Sequence, residues 1–509
     1  MRRARWTIAA AVLAVGAYVG LDIADVAPGA LTTDRPVAAP TGAPAPNAPP
    51  GAPAPAPAGG RLLPADAADL PLPPAAGSAR QPSAAALAAT LDPLIADRAL
   101  GPAVGAMVRD ARTGQVLYEK DSAAPRTPAS TTKLLTAAAV ATSMPMSATL
   151  DTTVVRGAEP GEIVLVAGGD TLLSPTAGEP FAVPGRAGLA DLADQVAARL
   201  RAGASASGAA GTPGAAGTSG AAGTSGAAAD RASEPVTIRL DEGALAGPRI
   251  DPAWVSADVA NGYAGPVAPL GLTTYRPRPG QDVPTDPALA TAVAFRDALA
   301  ARGVVVTGRV SRGAAPATAE RLGVVRSAPV GDQLALALAE SDNTLSSALA
   351  RVAAVRSGKA PTFDAVSAWV SDRVAALGAP TDGLAVADPS GLAPGSRASA
   401  ATLAAVLLAG TQSAAGDLAR VTADLPTAGL VGTLANRYLT GPQRAGAGVV
   451  RAKTGTLTGV SSLAGTVLTG DGRLLVFAVL ADRVPATGTE DAREALDRFA
   501  AALAGCGCR

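Results

Sequence analysis

Ser130 stands three residues before Lys133 in "TPASTTKLLTAAA" (127–139), just ahead of an apolar, alanine-rich run. Lysine is scarce in this chain: among 509 residues there are four, Lys120, Lys133, Lys359 and Lys453. A serine hydroxyl is a poor nucleophile until a base takes its proton. Positions i and i+3 of a helix share a face, so Lys133 can reach the Ser130 hydroxyl. The free N–H groups of a helix start favour developing negative charge at the serine. Lysine can give up its proton when desolvated, whereas arginine cannot. An unperturbed lysine, with a pKa of about 10.4, is neutral less than about one time in a thousand at pH 7. A base at Lys133 therefore requires a depressed pKa. Taken alone, the stretch equally suits a serine capping a buried helix.

Two further stretches change the weight of the first. "AESDNTLSS" places Ser341-Asp342-Asn343 inside what reads as one long helical segment; by itself it is a polar turn or cap. "RAKTGTLTG" places Lys453-Thr454-Gly455-Thr456 at the start of a strand, where glycine lets another backbone or a ligand come close. In the order S-x-x-K, S-D-N, K-T-G the three form the signature of serine penicillin-binding proteins and class A β-lactamases. Two of the four lysines fall in it, as does Asn343, one of four asparagines. Burial and the nearby charge of Lys453 are the two influences expected to depress Lys133.

Composition narrows the alternatives. Histidine is absent, which excludes a Ser-His-Asp triad, a Cys-His pair and any histidine metal site. The only cysteines, Cys506 and Cys508, make no zinc site by themselves. No metal and no cofactor are expected. The formal net charge is zero, so nothing points to nucleic acid as a partner.

The elements that must position these residues can be read in outline. Residues 1–30 read as an export signal or a retained membrane anchor: Arg2, Arg3 and Arg5 precede the uncharged run 6–21. Residues 31–79 read as a Pro/Ala-rich linker, with nine prolines between 36 and 60. The body is therefore expected outside the cytoplasm, secreted or anchored to the outer face of the membrane. "SAAALAATLDPLIAD" reads as a helix, and "AVGAMVRDARTGQVLYEKD" as two strands joined by a turn at 112–114. Val/Ile-rich runs between 148 and 325 read as a strand-rich insertion, interrupted by a flexible Gly/Ala/Ser/Thr loop near 202–233. The stretch 449–482 reads as two or three antiparallel strands, and "DAREALDRFAAALAG" as a closing helix ahead of the tail 506–509. The fold class is α/β (α+β): an antiparallel sheet flanked by helices in two parts, 80–147 and 326–505, with a strand-rich domain inserted between the first two motifs.

Longer strings around the motifs sharpen this. "PRTPASTTKLLTAAA", "GGDTLLSP" (168–175), "DPSGL" (388–392), "LPTAGLVGTLANR" (425–437) and "AKTGTLTGVSSLAG" (452–465) resemble the D-alanyl-D-alanine carboxypeptidases of the low-molecular-mass class C type, peptidase family S13. The resemblance spans roughly residues 80–505 and includes the wide gap of 211 positions (341 − 130) that holds the extra domain. It implies a serine carboxypeptidase, and an endopeptidase on cross-links, acting on peptidoglycan stem peptides and inhibited by β-lactams. It implies roles as well. Ser130 would attack the penultimate D-Ala carbonyl, with Lys133 as its base, and Ser341 would relay a proton to the leaving amine. Asn343 would bond Lys133 and the substrate amide. Lys453, with Thr454 and Thr456 on either side of Gly455, would hold the terminal carboxylate. The backbone N–H groups of Ser130 and Thr456 would form the oxyanion hole. Asp170 and Arg397 would bind charged groups of the stem. The polar residue that follows Thr456-Leu457 in several members is here Thr458.

Two rival readings fit the sequence less well. A class A β-lactamase needs a glutamate downstream of S-D-N to activate water; none lies between Glu340 and Glu490, and the insertion is too wide. A catalytically silent peptidoglycan-binding module would not need complete motifs.

Overall fold

A computed structural model describes residues 79–209, 234–413 and 416–506. Residues 1–30, read above as an export signal or anchor, nearly all of 31–79, residues 210–233 of the repeat-like loop, and Cys508 lie outside the described residues. Among the described residues no helix is long and apolar enough to cross a membrane.

Two five-stranded sheets organise the chain. The first joins β1 (Val104–Asp110) and β2 (Val116–Lys120) to β8 (Val450–Leu457), β9 (Val460–Leu468) and β10 (Leu474–Ala481), in the order β2-β1-β10-β9-β8. Every pair is antiparallel. Successive side chains of a strand point to opposite faces. Leu475, Phe477, Val479 and Ala481 of β10 pack on one face with α1 (Ala84–Ile95) and the closing helix Thr489–Ala504. Val476, Ala478 and Leu480 pack on the other with α2 (Thr132–Ala141) and the helices that follow. Both faces are covered, so β9 and β10 are buried along nearly their whole length, and β10 is a continuous apolar run rather than an alternating one. All ten residues of α2 are buried. It is a central helix, which explains its small-residue composition on every side.

The second sheet comes wholly from the chain between the two halves of the first. It holds β3 (Asp151–Arg156), β4 (Glu162–Val166), β5 (Thr237–Asp241), β6 (Ser311–Arg312) and β7 (Arg321–Arg326), in the order β6-β5-β4-β3-β7. It is mixed, because β4–β5 and β5–β6 are parallel. The parallel pairs need crossovers. The long helices α3 (Leu189–Ala209) and α4 (Pro287–Ala300) lie in those connections and pack through Leu192, Val196, Phe295 and Leu299 onto Val154, Ile163 and Leu240. The strand-rich reading of this region thus missed two helices. The first runs to Ala209, past residue 202 where the flexible loop was expected to begin.

A second difference bears on function. The apolar pattern from 329 to 355 reads as one helix, but the structure contains two, α5 (Val330–Ala339) and α6 (Asn343–Arg356). Ser341 between them takes a left-handed φ of 56°. The Asp342 carboxylate accepts the Leu345 N–H at 2.9 Å and caps the second helix.

Candidate active site

Ser130 lies on a single 3-10 turn, Ala129–Thr131, that leads into α2. The turn is tight. Ala129 has a left-handed φ of 48°, and Gly391 packs against it so closely that a Cβ there would stand 2.0 Å from the Ala129 carbonyl oxygen. Lys133, one helical turn on, is fully buried and donates from Nζ to three oxygens: Ser130 Oγ at 2.9 Å, Asn343 Oδ1 at 2.6 Å and the Ser390 carbonyl at 2.9 Å. Burial lowers its pKa to about 7, against the charges of Asp388 and Asp342, which favour the protonated amine. The depression expected of Lys133 is therefore present, but its cause is burial. The like-charge influence acts on Lys453, which burial first, then Lys133 and Arg437, push well below the ordinary lysine range.

β8 forms the opposite wall as the edge strand of the first sheet. Lys453 Nζ donates to Ser341 Oγ at 3.0 Å and to the Thr454 carbonyl at 2.9 Å. Gly455 faces the nucleophile turn. A Cβ there would stand 2.6 Å from the Pro128 carbonyl oxygen and 3.1 Å from the Ser130 nitrogen, so only glycine lets the strand come this near. Thr454 Oγ1 bonds Thr433 Oγ1 at 2.9 Å. Between the walls lies a cleft of about 480 Å³, lined in part by Ser130, Ser341, Asn343, Thr454, Thr456 and Thr458. Eight expected residues thus meet at one place: Ser130, Lys133, Ser341, Asn343, Lys453, Thr454, Gly455 and Thr456.

Two do not. Asp170 is fully buried and is not among the residues lining the cleft; its carboxylate accepts the Leu172 N–H at 2.8 Å, and burial pushes its carboxyl up to about 7. Arg397 is exposed and also outside the lining; it donates to Thr127 Oγ1 at 2.6 Å, three residues before Ser130.

Sequence reasoning missed an outer ring of polar support. Asp388 is fully buried and accepts from the backbone of Ser390 (3.1 Å), Gly391 (3.0 Å) and Ala393 (3.0 Å), from the Ser390 hydroxyl, and from Trp254 Nε1 at 3.0 Å. These bonds fix the loop whose Ser390 carbonyl faces Lys133. Asn343 Nδ2 donates to the Tyr263 carbonyl at 2.8 Å. Arg437, on the cleft wall, is held by Asp497 through bonds of 2.9 and 2.7 Å. Asp388 and Arg437 lie inside the strings "DPSGL" and "LPTAGLVGTLANR". Nothing local to Trp254 or Tyr263 announces a partner.

A serine whose hydroxyl bonds a buried lysine, a second serine bonded to a second buried lysine, and a glycine-bearing strand edge beside the nucleophile define a serine acyl-transfer hydrolase of the penicillin-binding class. Residues 87–204 and 273–503 match the model of the D-Ala-D-Ala carboxypeptidase 3 (S13) family. The chain belongs to that family and is a serine peptidase. It is 34% identical over 428 residues to carboxypeptidase DacB of Mycolicibacterium smegmatis, covering 83% of this chain and 84% of that protein. It is 31% identical over 451 residues to a D-alanyl-D-alanine carboxypeptidase of an Actinomadura species, covering 76% and 79%. Its fold resembles that of penicillin binding protein 4 (dacB) from Haemophilus influenzae, with a TM-score of 0.62 at 17% identity, covering 82% of this chain and 98% of the other.

Proposed function

We propose that the cleft removes the terminal D-alanine from peptidoglycan stem peptides through an acyl-enzyme on Ser130, and cleaves D-Ala–D-Xaa cross-links by the same steps. Lys133, neutral in part at pH 7, takes the Ser130 proton as Oγ adds to the penultimate D-Ala carbonyl. The oxyanion is held by the N–H groups of Ser130 and Thr456; each such donor is worth about 3 kcal/mol in related chemistry. Ser341, bonded to Lys453, passes a proton to the leaving amine as the C–N bond breaks and takes in its place the proton that Lys133 removed from Ser130, which returns Lys133 to its neutral form. The amine departs as terminal D-alanine. Water then adds to the ester, with Lys133 again accepting a proton, and Ser130 leaves as the free hydroxyl. The hydroxyls of Thr454 and Thr456 orient the terminal carboxylate, whose negative charge in turn favours the protonated form of Lys453 beside it. Asn343 orients the substrate amide.

The observation that carries this reading is the amine of Lys133, buried yet within 2.9 Å of Ser130 Oγ and 2.6 Å of Asn343 Oδ1. We assign the protein to the extracytoplasmic side, on the strength of the basic and apolar amino-terminal residues. The test incubates purified protein with monomeric and cross-linked muropeptides, with Ser130→Ala as control and a fluorescent penicillin as probe. Release of D-alanine and stable labelling, both lost in Ser130→Ala, are expected. Cleavage unchanged in Ser130→Ala sinks the mechanism, and rapid penicillin turnover moves the assignment to a β-lactamase.

A further inference from the structure

Ser341 is a non-glycine residue in the left-handed region, buttressed on both sides by carboxylates that share one cation. Arg276 Nη2 donates to Glu340 Oε2 at 2.6 Å and to Asp342 Oδ2 at 2.8 Å, and its Nε donates to the same Asp342 oxygen at 3.2 Å. The other oxygen of Asp342 caps α6 at the Leu345 N–H. One guanidinium therefore grips the residue before Ser341 and the residue after it. A left-handed non-glycine residue persists only where its surroundings over-determine it. Arg276 comes from the insertion, 65 positions before Ser341 (341 − 276), and its side chain is only 10% exposed.

We propose that Arg276 is a positioning residue for Ser341. It holds the strained peptide so that the Ser341 hydroxyl stays between Lys453 and the leaving group. This rests on the reading of Ser341 as the proton relay. Loosening the grip should cost proton delivery more than substrate binding. Misplacing a catalytic group by an ångström can cost up to about a hundred-fold in rate.

The experiment uses two substrates with the same acyl group, a D-Ala-D-Ala peptide and its thioester analogue. An amine must be protonated to leave, whereas a thiolate departs without a proton. Arg276→Met should lower kcat on the peptide by up to about a hundred-fold at nearly unchanged KM, and lower thioester hydrolysis far less. Arg276→Lys keeps the charge without the fork and should restore part of the peptide activity; if Arg276→Met does not fold, Arg276→Lys carries the same comparison. Ser341→Ala, run alongside, should show the same bias against the peptide. Equal losses on both substrates, a loss confined to KM, or an unchanged peptide kcat in the Arg276 variants overturns the proposal. Should those results come while Ser341→Ala keeps its bias, the relay reading stands alone. A Ser341→Ala variant without bias removes the relay and the proposal together.

Discussion

The first sheet is buried on both faces, and its edge strand β8 carries Lys453, Thr454, Gly455 and Thr456 into the cleft. The second sheet is covered by α3 and α4, its strand β3 alternates buried and half-exposed residues, and none of the three motifs falls on it. Yet the connections of the second sheet reach the site from the other side. Trp254 bonds Asp388, Tyr263 bonds Asn343 and Arg276 bonds Asp342. One region supplies the reacting groups, and the other restrains the loops that hold them. An insertion that carries none of the three motifs can thus both line and brace an active centre. The family-model match skips 205–272, so Trp254 and Tyr263 lie outside it while Arg276 lies within it.

Substitutions can break or sharpen this division. The largest effect belongs to the first region: Ser130→Ala should abolish both hydrolysis and penicillin labelling, read by product release and by gel fluorescence. Lys133→Arg should follow. Arginine keeps the charge but does not release its proton, so the acylation rate should fall by about 10²–10⁴-fold. Next come paired core deletions. Phe477→Ala in the first sheet and Phe295→Ala under the second remove fully buried rings and should each cost about 3–5 kcal/mol by denaturant unfolding. If the second region only restrains, Phe295→Ala should retain more activity below its melting point than Phe477→Ala; equal inactivation would erase the distinction. Trp254→Phe keeps a ring but deletes the donor to Asp388, and should cost about 1–3 kcal/mol. Because that bond steadies the loop facing Lys133, penicillin acylation should slow as well.

The mildest perturbation, which changes no residue, is a titration. With Lys133 at about 7, the neutral base is lost as pH falls through that value. Acylation should rise with pH, gaining about tenfold per unit below 7 and levelling above it. An acylation rate flat between pH 5 and 8 would contradict a base at Lys133.

What could be read from the sequence follows distance along the chain. Ser130 and Lys133 are one helical turn apart, so their contact is dictated by helix geometry. The antiparallel strands at the end of the chain are likewise local. At Ser341 the polar stretch by itself suits a turn or cap, but the apolar spacing on either side continues through it, so the whole reads as one helix. The interruption is enforced by a cap at Asp342 and by Arg276, which no periodicity connects. Trp254 and Asp388 are 134 positions apart, and only the folded chain joins them. Asp170 was misjudged for a related reason. Its string "GGDTLLSP" marks close backbone approach: a Cβ on Gly168 would stand 1.9 Å from the Asp151 carbonyl oxygen. In so tight a turn the aspartate serves the main chain, accepting from Leu172, instead of facing the cleft.

Gly455 carries one more consequence. The gap between the nucleophile turn and the β8 edge is bounded by main chain on both sides, and main chain has no rotamers to adjust. The width of that gap is therefore fixed when the first sheet folds. A substrate carbonyl must fit that spacing as it stands. The placement of Gly455 against the nucleophile turn is then a property of sheet register, set by its pairing with Ser462 on β9.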